Sequence, residues 1–176
     1  HEDHIGALPY VLRDINVPVY APRMASAVIR NRLREHGKLT ETEIHEVSPG
    51  DRVEIGNLIV EWFSVNHSIP DSTGIAIDTP AGKVIHTGDF KIDHDPIIGD
   101  PFDYANIARI ASRGVFLLLS DSTYAEIEGN SDSDRVVAET LFKLIGDAPG
   151  RVFVASFASQ IARIQIVVDS AYAHSR

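Results

Sequence analysis

Apolar and polar positions along this chain follow two different periods. Residues 51–86 read with a period of two. Val53 and Ile55 alternate with charged neighbours, Leu58 to Val65 forms a longer strand, and Gly74 to Asp78 and Lys83 to His86 form two short ones. Ser48-Pro49-Gly50-Asp51 is a turn before them, Asn66 to Pro70 leaves the long strand as a loop, and Thr79-Pro80-Ala81-Gly82 joins the last two as a hairpin. Helical spacing precedes this stretch. His4 to Arg13 predicts a short helix with Pro9 near its start, and Val17 to Tyr20 a short strand. Pro22 suits the first turn before a helix from Met24 to His36 that Gly37 ends. After residue 100, helices and strands take turns. Tyr104 to Ser112 reads as a helix, and Val115 to Leu119 as an apolar strand of the kind covered on both faces. Ser131 and Ser133 offer N-caps to a helix from Asp134 to Ile145 that Gly146 can end. Val152 to Phe157 reads as another buried strand, and Ser159 as the cap of a helix running to about Ala173. The order predicts an α/β fold. The Ser-, Asp-, Gly- and Asn-rich stretch 120–133 is the candidate domain boundary.

Composition narrows the picture. The chain has 176 residues, 44% of them apolar, enough for one domain or one and part of another. No apolar run approaches the ~20 residues that span a membrane, so no membrane partner is expected. There is no cysteine, which excludes disulfides, thiolate metal sites and a Cys nucleophile, and fits a cytoplasmic setting. The net charge of −9 argues against simple electrostatic capture of nucleic acid, though not against a nucleic-acid enzyme whose positive charge comes from bound metal. Arg30, Arg32 and Arg34 read as a solvated helix face. The chain opens on His1-Glu2-Asp3-His4 without a Met and stops in a helical stretch, so it reads as an internal fragment cut inside a motif.

The chemistry lies at element ends. His1, Asp3 and His4 place three possible metal ligands within four residues, of types that suit zinc and similar divalent ions. With His1 pointing one way and Asp3 and His4 another, such a turn serves two neighbouring metals. His67 follows the longest strand, and Asp89 follows the strand ending at His86, with Gly88 allowing a sharp turn. Strands of one sheet deliver their ends to one edge, so these ligands are expected to converge, with Asp89 suited to bridge two ions. His86 reads as a packed strand residue, His36 and His45 as surface residues. His94 and His174 have no assignable role.

His1-Glu2-Asp3-His4-Ile5-Gly6-Ala7 resembles the second half of the His-x-His-x-Asp-His motif of the metallo-β-lactamase fold, and His67 and Thr87-Gly88-Asp89 match the next two metal motifs in order. The finer resemblance is to ribonuclease J, in the β-CASP branch. It is carried also by Asn66-His67-Ser68-Ile69-Pro70-Asp71-Ser72, His86-Thr87-Gly88-Asp89-Phe90-Lys91, Leu119-Ser120-Asp121-Ser122-Thr123 and Ala155-Ser156-Phe157-Ala158-Ser159. The resemblance implies a partial αββα sandwich over residues 1–130, running into the start of a β-CASP α/β domain over 131–176.

It also implies roles. His1 and His67 would bind one zinc, Asp3 and His4 the other, Asp89 would bridge them, and Asp121 would orient the His4 side. Manganese could replace zinc. The implied activity is hydrolysis of RNA phosphodiester bonds by a metal-activated hydroxide, endonucleolytic and 5′-to-3′ exonucleolytic, in RNA processing and decay. The implied partner is single-stranded RNA with a 5′-monophosphate, in a full-length protein that forms homo-oligomers. The first His of the opening motif and the later β-CASP motifs lie outside the chain, so the fragment alone is expected to be inactive. Gln160-Ile161-Ala162 also lacks a His that many ribonuclease J sequences carry at position 162. The competing readings are a thioester or lactone hydrolase of the same fold and a metal-free RNA-binding module.

Overall fold

The computed structural model describes residues His1–Arg176. From the N-terminus, α1 (Glu2–Ile5) and α2 (Leu8–Asp14) lead to β1 (Val19–Ala21), α3 (Arg23–Glu35) and β2 (Ile44–Glu46). Then come β3 (Arg52–Ile55), β4 (Leu58–Ser64), β5 (Thr73–Thr79), β6 (Gly82–His86), α4 (Tyr104–Ala111) and β7 (Leu117–Leu119). Helices α5 (Asp134–Asp147) and α6 (Ile161–Ala173) follow. Strands β1 and β2 pair in parallel. The main sheet runs β3-β4-β5-β6-β7, antiparallel as far as β6, with β7 parallel to β6 after the α4 crossover.

Side-chain alternation on β4 sorts the core into layers. Val60 and Trp62 face one side, where they meet Val47 and Tyr20 of the small sheet's layer together with Ile75 and Ile77 of β5. Phe63 faces the other side and packs with Ala76, Ile85 and Ile110 of α4. A third cluster, Ile5, Leu12, Ala21, Ile29 and Leu33, joins α1, α2 and α3 to the outer face of β1. The layer order is therefore helices, small sheet, main sheet, helix: the α/β class that the pattern predicts, in the sandwich that the resemblance implies.

Gly74 sits opposite Phe63 in the β4–β5 register, and the Phe63 ring lies where a side chain at 74 would stand. Gly74→Ala is expected to lower stability by about 1–3 kcal/mol through overpacking. Urea denaturation would read this as a lower midpoint with an unchanged slope.

Several expectations are corrected. The helix expected over His4–Arg13 is two helices broken at Gly6-Ala7. The parallel strand β2, with one charged residue in three, carries no alternation and was not predicted. Strand β7 forms, but as an edge strand with one neighbour, and Phe116 and Leu118 are 71% and 58% exposed. Val152–Phe157 is no strand. It pairs with nothing, and Phe153 is 89% exposed. Gly146 does not end α5, which continues to Asp147. A Cβ at 146 would stand 2.6 Å from the His174 ring, so glycine here permits close approach of α6. Ser159 is not the cap of α6. Gln160 holds that position without a side-chain bond.

Candidate metal centre

Strand β5 is antiparallel to both β4 and β6, so β4 and β6 run in the same direction and end at the same edge. His67 leaves β4 after Ser64-Val65-Asn66, and Asp89 leaves β6 after Thr87-Gly88. Gly88 has φ +62°, and a Cβ there would sit 3.1 Å from the Thr73 carbonyl oxygen, so the turn that aims Asp89 requires glycine. The two exit loops are joined, since the Lys91 amide donates to the Asn66 carbonyl at 2.8 Å. The third contribution is the N-terminal turn, anchored by Ile5 in the helical layer.

These three pieces meet. Asp89 Oδ2 is 3.1 Å from His1 Nε2, 3.1 Å from His4 Nε2 and 3.6 Å from His67 Nε2. His1 Nε2 and His67 Nε2 are 3.0 Å apart. Ligand atoms about 2.0–2.1 Å from a tetrahedral ion stand roughly 3.3 Å from one another. The triangle His1–His67–Asp89, with edges of 3.0, 3.1 and 3.6 Å, therefore matches one face of such a site. His4 approaches the same carboxylate oxygen from elsewhere, and the ligand atoms of His1, His4 and Asp89 all lie within 4.8 Å of one another. Two or three imidazoles around one carboxylate is a donor set that fits zinc or a similar divalent ion.

Burial lowers the pKa of His67, against the opposing pull of Asp89 and Asp121, and so favours the neutral ring, the form that can bind a metal. Asp121 has a lowered pKa. Burial alone would raise it, but hydrogen bonds from Thr123 and from the Phe90 amide and the nearby His67 outweigh that. The Asp121 amide in turn donates to Thr87 Oγ1 at 3.0 Å.

His1, His4, His67 and Asp89 are thus brought together, and one expected placement changes. Asp3 does not join His4: its side chain is 86% exposed, and its one close approach is to His1 Nδ1 at 3.7 Å. The reason is local, since residues 2–5 are helical and adjacent helical positions diverge by about 100°. Asp121 accepts the Phe90 and Thr123 amides, and its charge and that of His67 act on each other. Among the other histidines, His86 is exposed and its Nδ1 accepts the Gly88 amide, so it is no packed strand residue. His36 is exposed as expected, whereas His45 is half-buried and stacks on Tyr20.

One neighbouring group was not singled out in the sequence. Asp93 is 3% exposed. It accepts the Asp95 amide at 3.0 Å and the Asp134 amide at 3.1 Å, and Lys91 Nζ lies 3.2 Å away. Burial alone would raise its pKa, but these bonds together with Ser133 and Lys91 hold it at about 2, below the ordinary 3.8. A depressed acid stabilises the fold when ionised, so this contribution is complete above about pH 4 and is lost as pH falls toward 2. It amounts to roughly 2 kcal/mol. Denaturation of Asp93→Asn is expected to show a flatter pH dependence between pH 4 and 2 than the parent chain.

Residues 1–110 match the beta-lactamase superfamily domain. The chain is 44% identical over 171 residues to ribonuclease J 1 of Streptococcus pyogenes serotype M3, covering 97% of this chain and 30% of that protein. It is 47% identical over 178 residues to ribonuclease J of Corynebacterium glutamicum, covering 100% and 24%. It is 42% identical over 183 residues to ribonuclease J of Thermus thermophilus, covering 100% and 32%. The chain thus spans about a third or less of the length of these relatives. A crystal structure of a protein of unknown function from Enterococcus faecalis V583 shares the fold, with a TM-score of 0.64 at 15% identity over 87% of this chain and 39% of that one.

Proposed function

Because the chain belongs to the beta-lactamase superfamily, we propose that it carries the metal-binding part of a hydrolase of the ribonuclease J type, which cleaves RNA phosphodiester bonds. The observation that carries this reading is Asp89 Oδ2 standing 3.1 Å from both His1 Nε2 and His4 Nε2, a shared oxygen between two imidazoles. His1, His67 and Asp89 would hold one divalent ion, zinc or manganese. His4 and Asp89 would contribute to the second. When bound, such ions bring the pKa of a coordinated water down to about 7 and offset charge on a phosphoryl group.

The chain's own groups prepare for that chemistry. Burial favours the neutral ring of His67, the form that would bind a metal through a lone pair. Asp121 grips the Phe90 amide, next in sequence to Asp89, and so fixes where the shared carboxylate points. The net charge of −9 need not repel RNA where two divalent ions sit. In this reading residues 1–130 belong to the metal domain and 131–176 begin a β-CASP domain. The full-length protein acts in the cytoplasm as a homo-oligomer on single-stranded RNA with a 5′-monophosphate, by endonucleolytic and 5′-to-3′ exonucleolytic cleavage. The test is hydrolysis of 5′-monophosphorylated RNA by full-length protein before and after chelation. Activity lost to chelator and restored by Zn²⁺ or Mn²⁺ supports the reading. Undiminished turnover without metal, or hydrolysis of thioesters in place of RNA, overturns it.

A further inference from the structure

Asp89 sits in a segment with little regular support. Residues 87–103, between β6 and α4, contain neither helix nor strand beyond the single bridge at Lys91. On one side β6 holds Asp89. On the other, the chain is held by side chains. Asp93 is the buried member, and Lys91 Nζ lies between it and Asp134, 2.8 Å from the latter. Asp134 is the first residue of α5, so Asp93 takes one of the amides that a helix start leaves without a partner. Ser133 Oγ donates to the Asp95 carbonyl at 2.8 Å, and the Arg135 guanidinium closes on the Asp95 carboxylate outside. The same segment reaches toward the metal centre through the Lys91 amide on Asn66, which adjoins His67.

A buried carboxylate is costly unless every lone pair is used, and here a cation and two amides use them. Such a group fixes one geometry, where an apolar contact would tolerate several. We propose that Asp93 is a positioning residue for the metal centre: clamped by Lys91 and the first turn of α5, it fixes the segment that presents Asp89 and ties the placement of α5 and α6 to that of the centre. This rests on the metallohydrolase reading above. It gives the junction between the sheet and the last two helices a role in aligning the site, with no contact between Asp93 and substrate.

The test compares Asp93→Asn with the parent in full-length protein, using three readouts. Zinc affinity by chelator competition is expected to fall about 10- to 100-fold. kcat on 5′-monophosphorylated RNA is expected to fall by a similar factor with KM changed less than about threefold. In metal-free protein, the Lys91 amide is expected to exchange its hydrogen faster. Arg135→Ala, which removes only the exposed outer pair, is expected to stay within about twofold of the parent in all three. Should Asp93→Asn fail to fold, Asp93→Glu keeps the charge but moves the carboxylate by one methylene, and it is expected to show the same losses. Parent-like zinc affinity, kcat and exchange in a folded Asp93 variant overturn the inference. Absence of zinc binding by the parent overturns the metallohydrolase reading instead, and the hydrogen-exchange comparison still decides whether Asp93 holds the segment.

Discussion

Asp89→Asn is expected to lower RNA hydrolysis by the full-length protein about a thousandfold or more. The side chain keeps its shape and loses one anionic oxygen, and that oxygen stands within 3.1–3.6 Å of the three clustered histidines. Divalent ions contribute several kcal/mol of transition-state charge stabilisation, and each 1.36 kcal/mol is tenfold in rate, so a centre that loses its shared ligand loses about three orders of magnitude. The loss should lie in kcat, with metal content falling from two ions per chain. Because Asp89 is one-third exposed and lies in the loop after β6, outside the core clusters, the fold should survive, and the far-ultraviolet circular dichroism should be unchanged. His36→Ala, an exposed histidine far from the centre in sequence and outside its contacts, serves as the control and is expected to act like the parent. A folded Asp89→Asn protein with parent-like turnover and two bound ions would remove the shared-carboxylate account.

The parts of this fold that follow a local rule were legible in the sequence. Val60, Trp62 and Phe63 divide between two faces as a period of two requires, and His67 and Asp89 each follow a strand end, so a single sheet edge gathers them. What was not legible depends on direction or on distant partners. Asp3 looks like a ligand beside His4 until residues 2–5 wind into a helical turn and send it to solvent. Val152–Phe157 has the composition of a buried strand, but a strand is made by its neighbour, and no strand within residues 1–176 pairs with it. Gly146 carries the usual signal of a helix end and is instead a point of close approach to His174, a residue 28 positions away. Asp93 is invisible for the same reason, since the amide it receives lies 41 residues on.

Leu33→Ala is expected to cost about 2–5 kcal/mol and to weaken metal binding as well. Leu33 is fully buried and packs with Ile5, Leu12, Ala21 and Ile29, where α1, α2 and α3 meet β1. Truncation removes its transfer free energy and leaves a cavity that its neighbours cannot fully fill. The same cluster reaches the metal centre through one covalent step, because Ile5 follows His4. His1 and His4 have no sheet to hold them; the packing of Ile5, together with the Arg32–Glu2 ion pair at 2.7 Å, ties their turn to α3. A buried site of similar side-chain volume elsewhere separates the two effects. Ile145→Ala, near the C-terminal end of α5 and 3% exposed, should cost a similar amount of stability while leaving zinc affinity at the parent value. Urea denaturation and chelator competition on both variants give the comparison. If Leu33→Ala and Ile145→Ala lose stability alike and both keep parent-like zinc affinity, the hydrophobic cluster does not position the opening histidines.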